Sequence, residues 1–174
     1  MRFILLSIFT FTSLFALKYD YIIPEPVLQE RMQKEFPIVH KTMLLTFHVS
    51  DPKLYLDGDK QRFNFTGRLQ IPNIQDENGK PVNAVVSVSS RIAYSKGGRL
   101  YLRKIKVVDI QSKYIGSDLK SMLYGTMDQL LNEHFKSRPV YSLEKEKGVV
   151  GAAVKSIENV VIVKDGLKII FNAG

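Results

Sequence analysis

Four successive segments between residues 43 and 110 alternate apolar and polar side chains with a period of two. Such alternation indicates β-strands that have one face on a core and the other towards water. Short turn signals at residues 57–59 and 96–98 predict that neighbouring strands run antiparallel in a meander. The apolar row of the fourth segment slips by one residue, which predicts a β-bulge near Arg103–Lys104.

A helical period replaces the period of two after residue 114. The apolar side chains then form one wide stripe: Ile115, Leu119, Met122, Leu123, Met127, Leu130, Leu131 and Phe135. This stripe predicts an amphipathic helix of about 20 residues and ~30 Å, long enough to lie along a curved sheet, with Ser117 as its N-cap. The predicted fold class is α+β. A long curved antiparallel sheet, made of the meander and a C-terminal hairpin, wraps around this helix, and a shorter N-terminal helix precedes it.

The segment before residue 17 bears on the compartment. An apolar run follows the charge of Arg2 and leads to the small residue Ala16, as in a secretory signal peptide. Its apolar part has about 15 residues, against the ~20 that span a bilayer comfortably. We therefore expect residues 1–16 to be cleaved, leaving 17–174 as a single domain in the periplasm of a Gram-negative bacterium. The alternatives are an uncleaved inner-membrane anchor and a buried core element.

The composition restricts the chemistry. A net charge of +8 suits an anionic partner such as membrane headgroups, lipopolysaccharide or nucleic acid, and the predicted export argues against nucleic acid. The chain has no cysteine, which excludes disulfides, thiolate nucleophiles, cysteine–zinc sites and lipidation at a signal cysteine. The histidines, at positions 40, 48 and 134, lack ligand-like spacing, and no catalytic or nucleotide-binding motif occurs. We expect no enzymatic activity, metal or cofactor.

Two sets of residues mark candidate binding surfaces. The first consists of cations with no acid between them: Lys96, Arg99, Arg103, Lys104 and Lys106. They would contact anionic headgroups, although a solvated strand face is the simpler interpretation. The second set is apolar: Phe63, Phe65, Met122, Met127, Leu131 and Phe135. Such a stripe is usually plain core, but incomplete closure of sheet and helix would leave a groove, and flexible Met side chains suit a variable apolar ligand.

A family resemblance is carried by three stretches: LYLRKIKVVDI (100–110), MDQLLNEHFKSRPVYSL (127–143) and VKDGLKIIF (163–171). Together they resemble the bacterial envelope lipoprotein family typified by YceB, and the similarity runs from Tyr19 to Phe171. The resemblance implies a strongly curved sheet around a long helix. By analogy it implies a distant similarity to tubular lipid-binding (TULIP-like) proteins, which hold acyl chains in an apolar tunnel. Those relatives carry a lipidated cysteine where Leu17 stands here.

The expected function is that of a non-enzymatic cell-envelope protein with a lipid or acyl chain bound between the curved sheet and the long helix. The alternative is a protein–protein interaction module with a fully packed core and no ligand. Whether the interior is filled decides between them.

Overall fold

The computed structural model describes residues 17–146 and 148–173, so the predicted signal segment, residues 1–16, lies outside the described residues. The strands are β1 Leu17–Pro24, β2 Ile38–Lys41, β3 Thr46–Asp57, β4 Arg62–Gln75, β5 Pro81–Tyr94, β6 Arg99–Gln111, β7 Tyr141–Ser142, β8 Ile157–Val163 and β9 Gly166–Ala173. The α-helices are α1 Glu25–Lys34, α2 Ser117–Phe135 and α3 Val149–Ala152, with short 3₁₀ helices at Leu143–Lys145 and Ala153–Ser156. The α+β class is confirmed.

The strands form two antiparallel sheets rather than one. The predicted meander is confirmed, since β3, β4, β5 and β6 are successive neighbours in a six-stranded sheet of order β2-β3-β4-β5-β6-β7. The prediction that the C-terminal hairpin extends this sheet is wrong, because β8 and β9 form a second sheet of order β1-β9-β8. The outer edge of β9 is paired by β1 from the other end of the chain, and the rings of Tyr19 and Phe171 stack there at 4.6 Å.

One hydrophobic core joins both sheets and the two longer helices. Along β4 every second residue is buried from Phe63 to Ile71, as the period of two predicts. Helix α1 lies against β3 and contributes Leu28 and Met32 to the core. Helix α2 lies against β6, the last long strand of the meander. The opposite face of the six-stranded sheet is not covered by these helices, and we call it the open face.

Local details of β6 and α2 test two finer predictions. The bulge in β6 is confirmed, because Arg91 pairs with Arg103 whereas Ser89 pairs with Lys106, which leaves one residue of β6 in excess. Lys104 has a left-handed φ of 52° at this point. The prediction of Ser117 as N-cap is wrong by one position. Gly116 caps α2, and within the described part of the chain the helix has no side-chain capping bond at this end.

Side-chain amides complete the sheets where strand pairing stops. The amide of Asn132 in α2 accepts from the N–H of Ile105 at 3.3 Å and donates to the carbonyl of the same residue at 2.8 Å. Gln61 bonds the N–H and carbonyl of Ile162 on the edge of β8, at 2.8 and 2.9 Å. Gln29 of α1 spans the bulge of β3 with two bonds of 2.7 Å. Each side-chain amide makes the hydrogen bonds that a residue of a neighbouring strand would make, so the backbone N–H and C=O groups at these edges have partners.

Candidate functional site

The six apolar residues predicted to line a groove fall into two groups. Five are at most 1% exposed and belong to the core: Phe63, Phe65, Met127, Leu131 and Phe135. The rings of Phe65 and Phe135 are 6.5 Å apart, and Phe36 lies within about 6 Å of both. Met122, the sixth, is 47% exposed. The middle and C-terminal turns of α2 are therefore packed, and the unfilled apolar surface lies nearer its N-terminus.

An open apolar cleft adjoins Met122. It lies between the N-terminal half of α2, the ends of β3 and β4, and the loop between β2 and β3, and its volume is about 480 Å³. Among the residues that the structure describes, its lining has no charged side chain: Thr42, Met43, Leu44, Leu45, Phe47, Ile74, Leu119, Met122 and Thr126. This volume is within the range of small-molecule sites, which are mostly apolar depressions. We call it the apolar cleft.

The rim of the apolar cleft exposes large apolar side chains to water. Met43 is fully exposed and Leu44 is 83% exposed, next to half-exposed Met122. A single exposed apolar residue needs no explanation, but adjacent ones beside an apolar depression are a feature of binding surfaces. The rim therefore has apolar area that a ligand would remove from water.

Hydrogen bonds at both ends of the 42–45 loop fix its backbone. The N–H of Thr42 donates to the carbonyl of Leu45 at 2.8 Å, and the Thr42 hydroxyl lies 3.0 Å from both the N–H and the carbonyl of Leu45. The N–H of Thr46 then donates to the side-chain oxygen of Asn73 at 2.7 Å. With both ends fixed in this way, the exposure of Met43 and Leu44 is a property of a defined turn.

The period of two does not predict this loop. The alternation that begins at residue 43 includes Met43 and Leu45 in the first strand, and this prediction is wrong because β3 begins at Thr46. The signal was present in the sequence: residues 43–45 are three consecutive apolar residues, which a strand with one buried face does not need. An exposed apolar run of this kind indicates a functional surface or an error of assignment.

The five cations predicted to contact an anionic surface lie along the β5–β6 hairpin. Arg99 binds the carboxylate of Glu144 at 3.1 Å, which raises the pKa of its guanidinium. The guanidinium of Arg103 lies over the ring of Tyr101 at 4.7 Å. Lys106 binds Asp128 of α2 at 3.0 Å, whereas Lys96 and Lys104 have no ion pair with any residue that the structure describes. Three of the five cations are thus engaged within the protein.

Charge is concentrated at the opposite end of α2 from the apolar cleft. Glu35 lies 3.7 Å from Nε2 of His134 and 3.4 Å from the guanidinium of Arg138. Burial lowers the pKa of His134, and the positive charge of Arg138 lowers it further. This end of the helix is both packed and charged, which is the reverse of the apolar cleft.

Residues 17–146 and 148–173 contain no group of three or more His, Asp or Glu side chains that could hold a metal ion. Within the same ranges, no helix combines the length and the apolar character needed to cross a membrane. The geometry of the apolar cleft is that of a surface that binds through apolar contact, because none of the described residues that line it is ionisable.

Comparison with known proteins shows the family of the chain. The profile of a family described as "Protein of unknown function (DUF1439)" matches residues 23–166, which is most of the chain. The match extends from the end of β1 to the start of β9 and includes the 42–45 loop and all of α2. No curated protein matches the sequence at a significant level.

Proposed function

The chain belongs to the DUF1439 family, and we propose that it is a non-enzymatic protein that binds the acyl chain of a lipid, or another apolar ligand, in the apolar cleft beside α2. The site differs from the predicted groove in its position along the helix. Of the six residues first considered, Met122 is in contact with the cleft, while the other five are core. The proposal places a ligand on the same helix stripe, at its open end.

One observation supports this proposal above the rest: an uncharged cleft of about 480 Å³ has exposed Met43 and Leu44 at its rim. Burying exposed apolar surface contributes about 25 cal/mol per Å², so a hydrocarbon chain laid against these side chains gains most of its affinity from that burial. Met43 and Met122 are flexible and polarizable, which suits apolar ligands of differing shape. A polar substrate would find no partner for its hydrogen bonds on the apolar side chains of the rim.

The family resemblance, the expected export and the basic β5–β6 hairpin belong to the same proposal. The resemblance to the envelope lipoproteins typified by YceB, and by analogy to TULIP-like proteins, in which a sheet wraps a long helix, favours an apolar ligand held against α2. Export to the periplasm, or retention at the inner membrane through residues 1–16, would bring the protein to lipid. The cations of the β5–β6 hairpin, Lys96 and Lys104 above all, would contact anionic headgroups while the ligand is exchanged.

The experiment is native mass spectrometry with lipid extraction, on the full chain exported by a bacterial host and purified without detergent. We expect a stoichiometric phospholipid or fatty acid. The variant Met122→Trp fills the cleft from a half-exposed position and should abolish retention while the protein stays folded. Val85→Trp is the matched control, because Val85 is 46% exposed, close to the 47% of Met122, and lies on the open face of the sheet.

A second function is favoured by a different observation. The five buried residues of the predicted groove leave the interior beneath the middle of α2 filled, as in a protein–protein interaction module without a ligand. In that case the apolar rim would contact another envelope protein. A mass without ligand in repeated preparations, together with unchanged behaviour of Met122→Trp, would overturn lipid binding in favour of this module.

A further inference from the structure

The open face of the six-stranded sheet carries a second depression, which differs from the apolar cleft because charged side chains line it. It lies over the middle of β3 to β6, has a volume of about 670 Å³, and receives side chains from alternate positions of all four strands. Four cations reach it: Lys53, Lys60, Arg62 and Lys106. We call this depression the trough.

The strand register arranges the polar side chains of the trough in rows across the sheet. In one row Tyr55 pairs with Asn64, Asn64 with Ser89, and Ser89 with Lys106. Four strands at a spacing of about 4.8 Å give this row a length of about 14 Å. A second row, two residues along, joins Lys53, Thr66 and Ser87 and ends at Asp109, whose carboxylate lies 3.5 Å from Nζ of Lys120. The floor thus combines rows of hydroxyl and amide groups with apolar residues, Leu54 and Val108 among them, and it has cations and an aromatic ring at its margins.

The polar groups of the floor are unused by the protein. The side chains of Asn64, Thr66, Ser87 and Ser89 are partly exposed and form no hydrogen bond with any part of the chain that the structure describes. Ser90 provides the contrast, because it is buried on the opposite face and donates to the carbonyl of Phe63 at 2.7 Å. The floor therefore offers neutral donors and acceptors to a ligand without breaking internal bonds.

The charge of the trough is mostly uncompensated. Within residues 17–146 and 148–173, Lys53, Lys60 and Arg62 have no ion pair, and Lys106 is paired with Asp128. Among the described residues that line the trough, the one acid is Asp57, and its carboxylate accepts a bond from the backbone N–H of Lys60 at 3.0 Å. Tyr55 is 63% exposed beside these cations. The trough therefore attracts anions and presents an aromatic side chain to them.

We propose that the trough binds an anionic saccharide, that is, a sugar chain bearing phosphate, sulfate or carboxylate groups. Sugar hydroxyls match the amide and hydroxyl groups of the floor, the acidic substituents match the cations, and the apolar face of a sugar ring can pack on Tyr55. A bilayer is flat and does not enter a concave surface, which favours a single extended ligand over a membrane. This site is independent of the apolar cleft, which lies against α2 on the covered side of the sheet.

The experiment is isothermal titration calorimetry of the full chain at about 0.15 M salt with a sulfated heparin hexasaccharide, with neutral maltohexaose and inorganic sulfate as comparisons. Arg62→Gln should weaken hexasaccharide binding about 10-fold, and Ser89→Ala, which changes no charge, about 2- to 10-fold. Arg91→Gln is the matched control for charge, because Arg91 lies on the open face outside the trough and has no ion pair within the described ranges. We expect it to change the Kd by less than about 2-fold.

Three results would overturn the proposal. Equal weakening by Arg91→Gln and Arg62→Gln would mean that the whole basic face attracts polyanions without a site. An unchanged Kd of the Ser89→Ala variant would show that the polar side chains of the floor do not bind the hexasaccharide. Binding to phosphatidylglycerol vesicles or to a single-stranded oligonucleotide that is as strong as hexasaccharide binding, and equally sensitive to Arg62→Gln, would replace the saccharide with that ligand. None of these results depends on lipid retention in the apolar cleft.

Discussion

The two halves of helix α2 carry the same apolar stripe but have different surroundings. In the C-terminal half, Met127, Leu131 and Phe135 are completely buried, whereas in the N-terminal half Leu119 and Met122 border the apolar cleft. The helical period is the same throughout. The difference arises from what faces the helix, which is the aromatic core near Phe135 and the 42–45 loop near Met122. An amphipathic stripe therefore does not by itself distinguish a packed core from a binding surface.

The largest effect is expected from Phe135→Ala in the packed half. Its ring lies 6.5 Å from that of Phe65 and 6.2 Å from that of Phe36, so the substitution leaves a cavity that rigid aromatic neighbours cannot fill. We expect a loss of about 3–5 kcal/mol in the free energy of unfolding, measured by urea denaturation. Met122→Ala is the control and should cost less than about 1 kcal/mol, because half of the side chain is already in water. Similar losses for both variants would remove the distinction between the two halves.

The second effect concerns the edge of β6 that α2 covers. Asn132→Leu removes both bonds to the backbone of Ile105 while keeping the size of the side chain, so a strand N–H and a carbonyl lose their partners. We expect a loss of about 1–3 kcal/mol in the free energy of unfolding. Gln129→Leu is the control on the same helix, because Gln129 is exposed and bonds only the side chain of Glu133 among the described residues. An equal loss of unfolding free energy in the control would mean that replacing any polar side chain on this helix lowers stability, whether or not that side chain bonds the edge of β6.

Much of the fold could be predicted because it rests on local periodicity. The alternation from Phe63 to Ile71 and the slip near Lys104 each correspond to a feature of the sheet. The second sheet could not be predicted in this way, since β1 and β9 pair residues that lie some 150 positions apart, such as Tyr19 and Phe171. Nothing in either segment alone specifies its partner. Long-range pairing is decided by the packing of the whole chain.

The candidate site was harder to predict than the fold. Periodicity put Met122 and Met127 on one predicted stripe, but it contains no information on which of the two side chains another element covers. The 42–45 loop was misassigned because residues 43, 45 and 47 satisfy a period of two. The trough was missed because the partners in its rows, such as Asn64 and Ser89, come together only through the register of β4 and β5.

The third effect is a pH dependence that belongs to the packed half of α2. Burial lowers the pKa of His134 below its ordinary value near 6.5, so the unfolded chain binds its proton at higher pH than the folded protein does. The contribution is fully present above pH 6.5 and is lost as the pH falls from there towards the lowered pKa of the folded state. Unfolding of the parent protein and of His134→Gln between pH 7.5 and 5.5 measures it. The variant should lose less stability on acidification, and an equal loss would contradict the assignment to His134.

The smallest effect on stability is expected at the rim of the apolar cleft. Met43→Ser and Leu44→Ser replace side chains that are 102% and 83% exposed, so each should change the free energy of unfolding by no more than about 0.5 kcal/mol. Retention of an apolar ligand, measured by native mass spectrometry, should nevertheless fall in both variants, because each removes apolar area from the rim. Unchanged retention together with unchanged stability would show that the rim does not contact the ligand. A loss of more than about 1 kcal/mol in the free energy of unfolding would instead show that the 42–45 loop is packed as part of the core. The N-terminal half of α2 would then be packed as well, only less tightly than the C-terminal half.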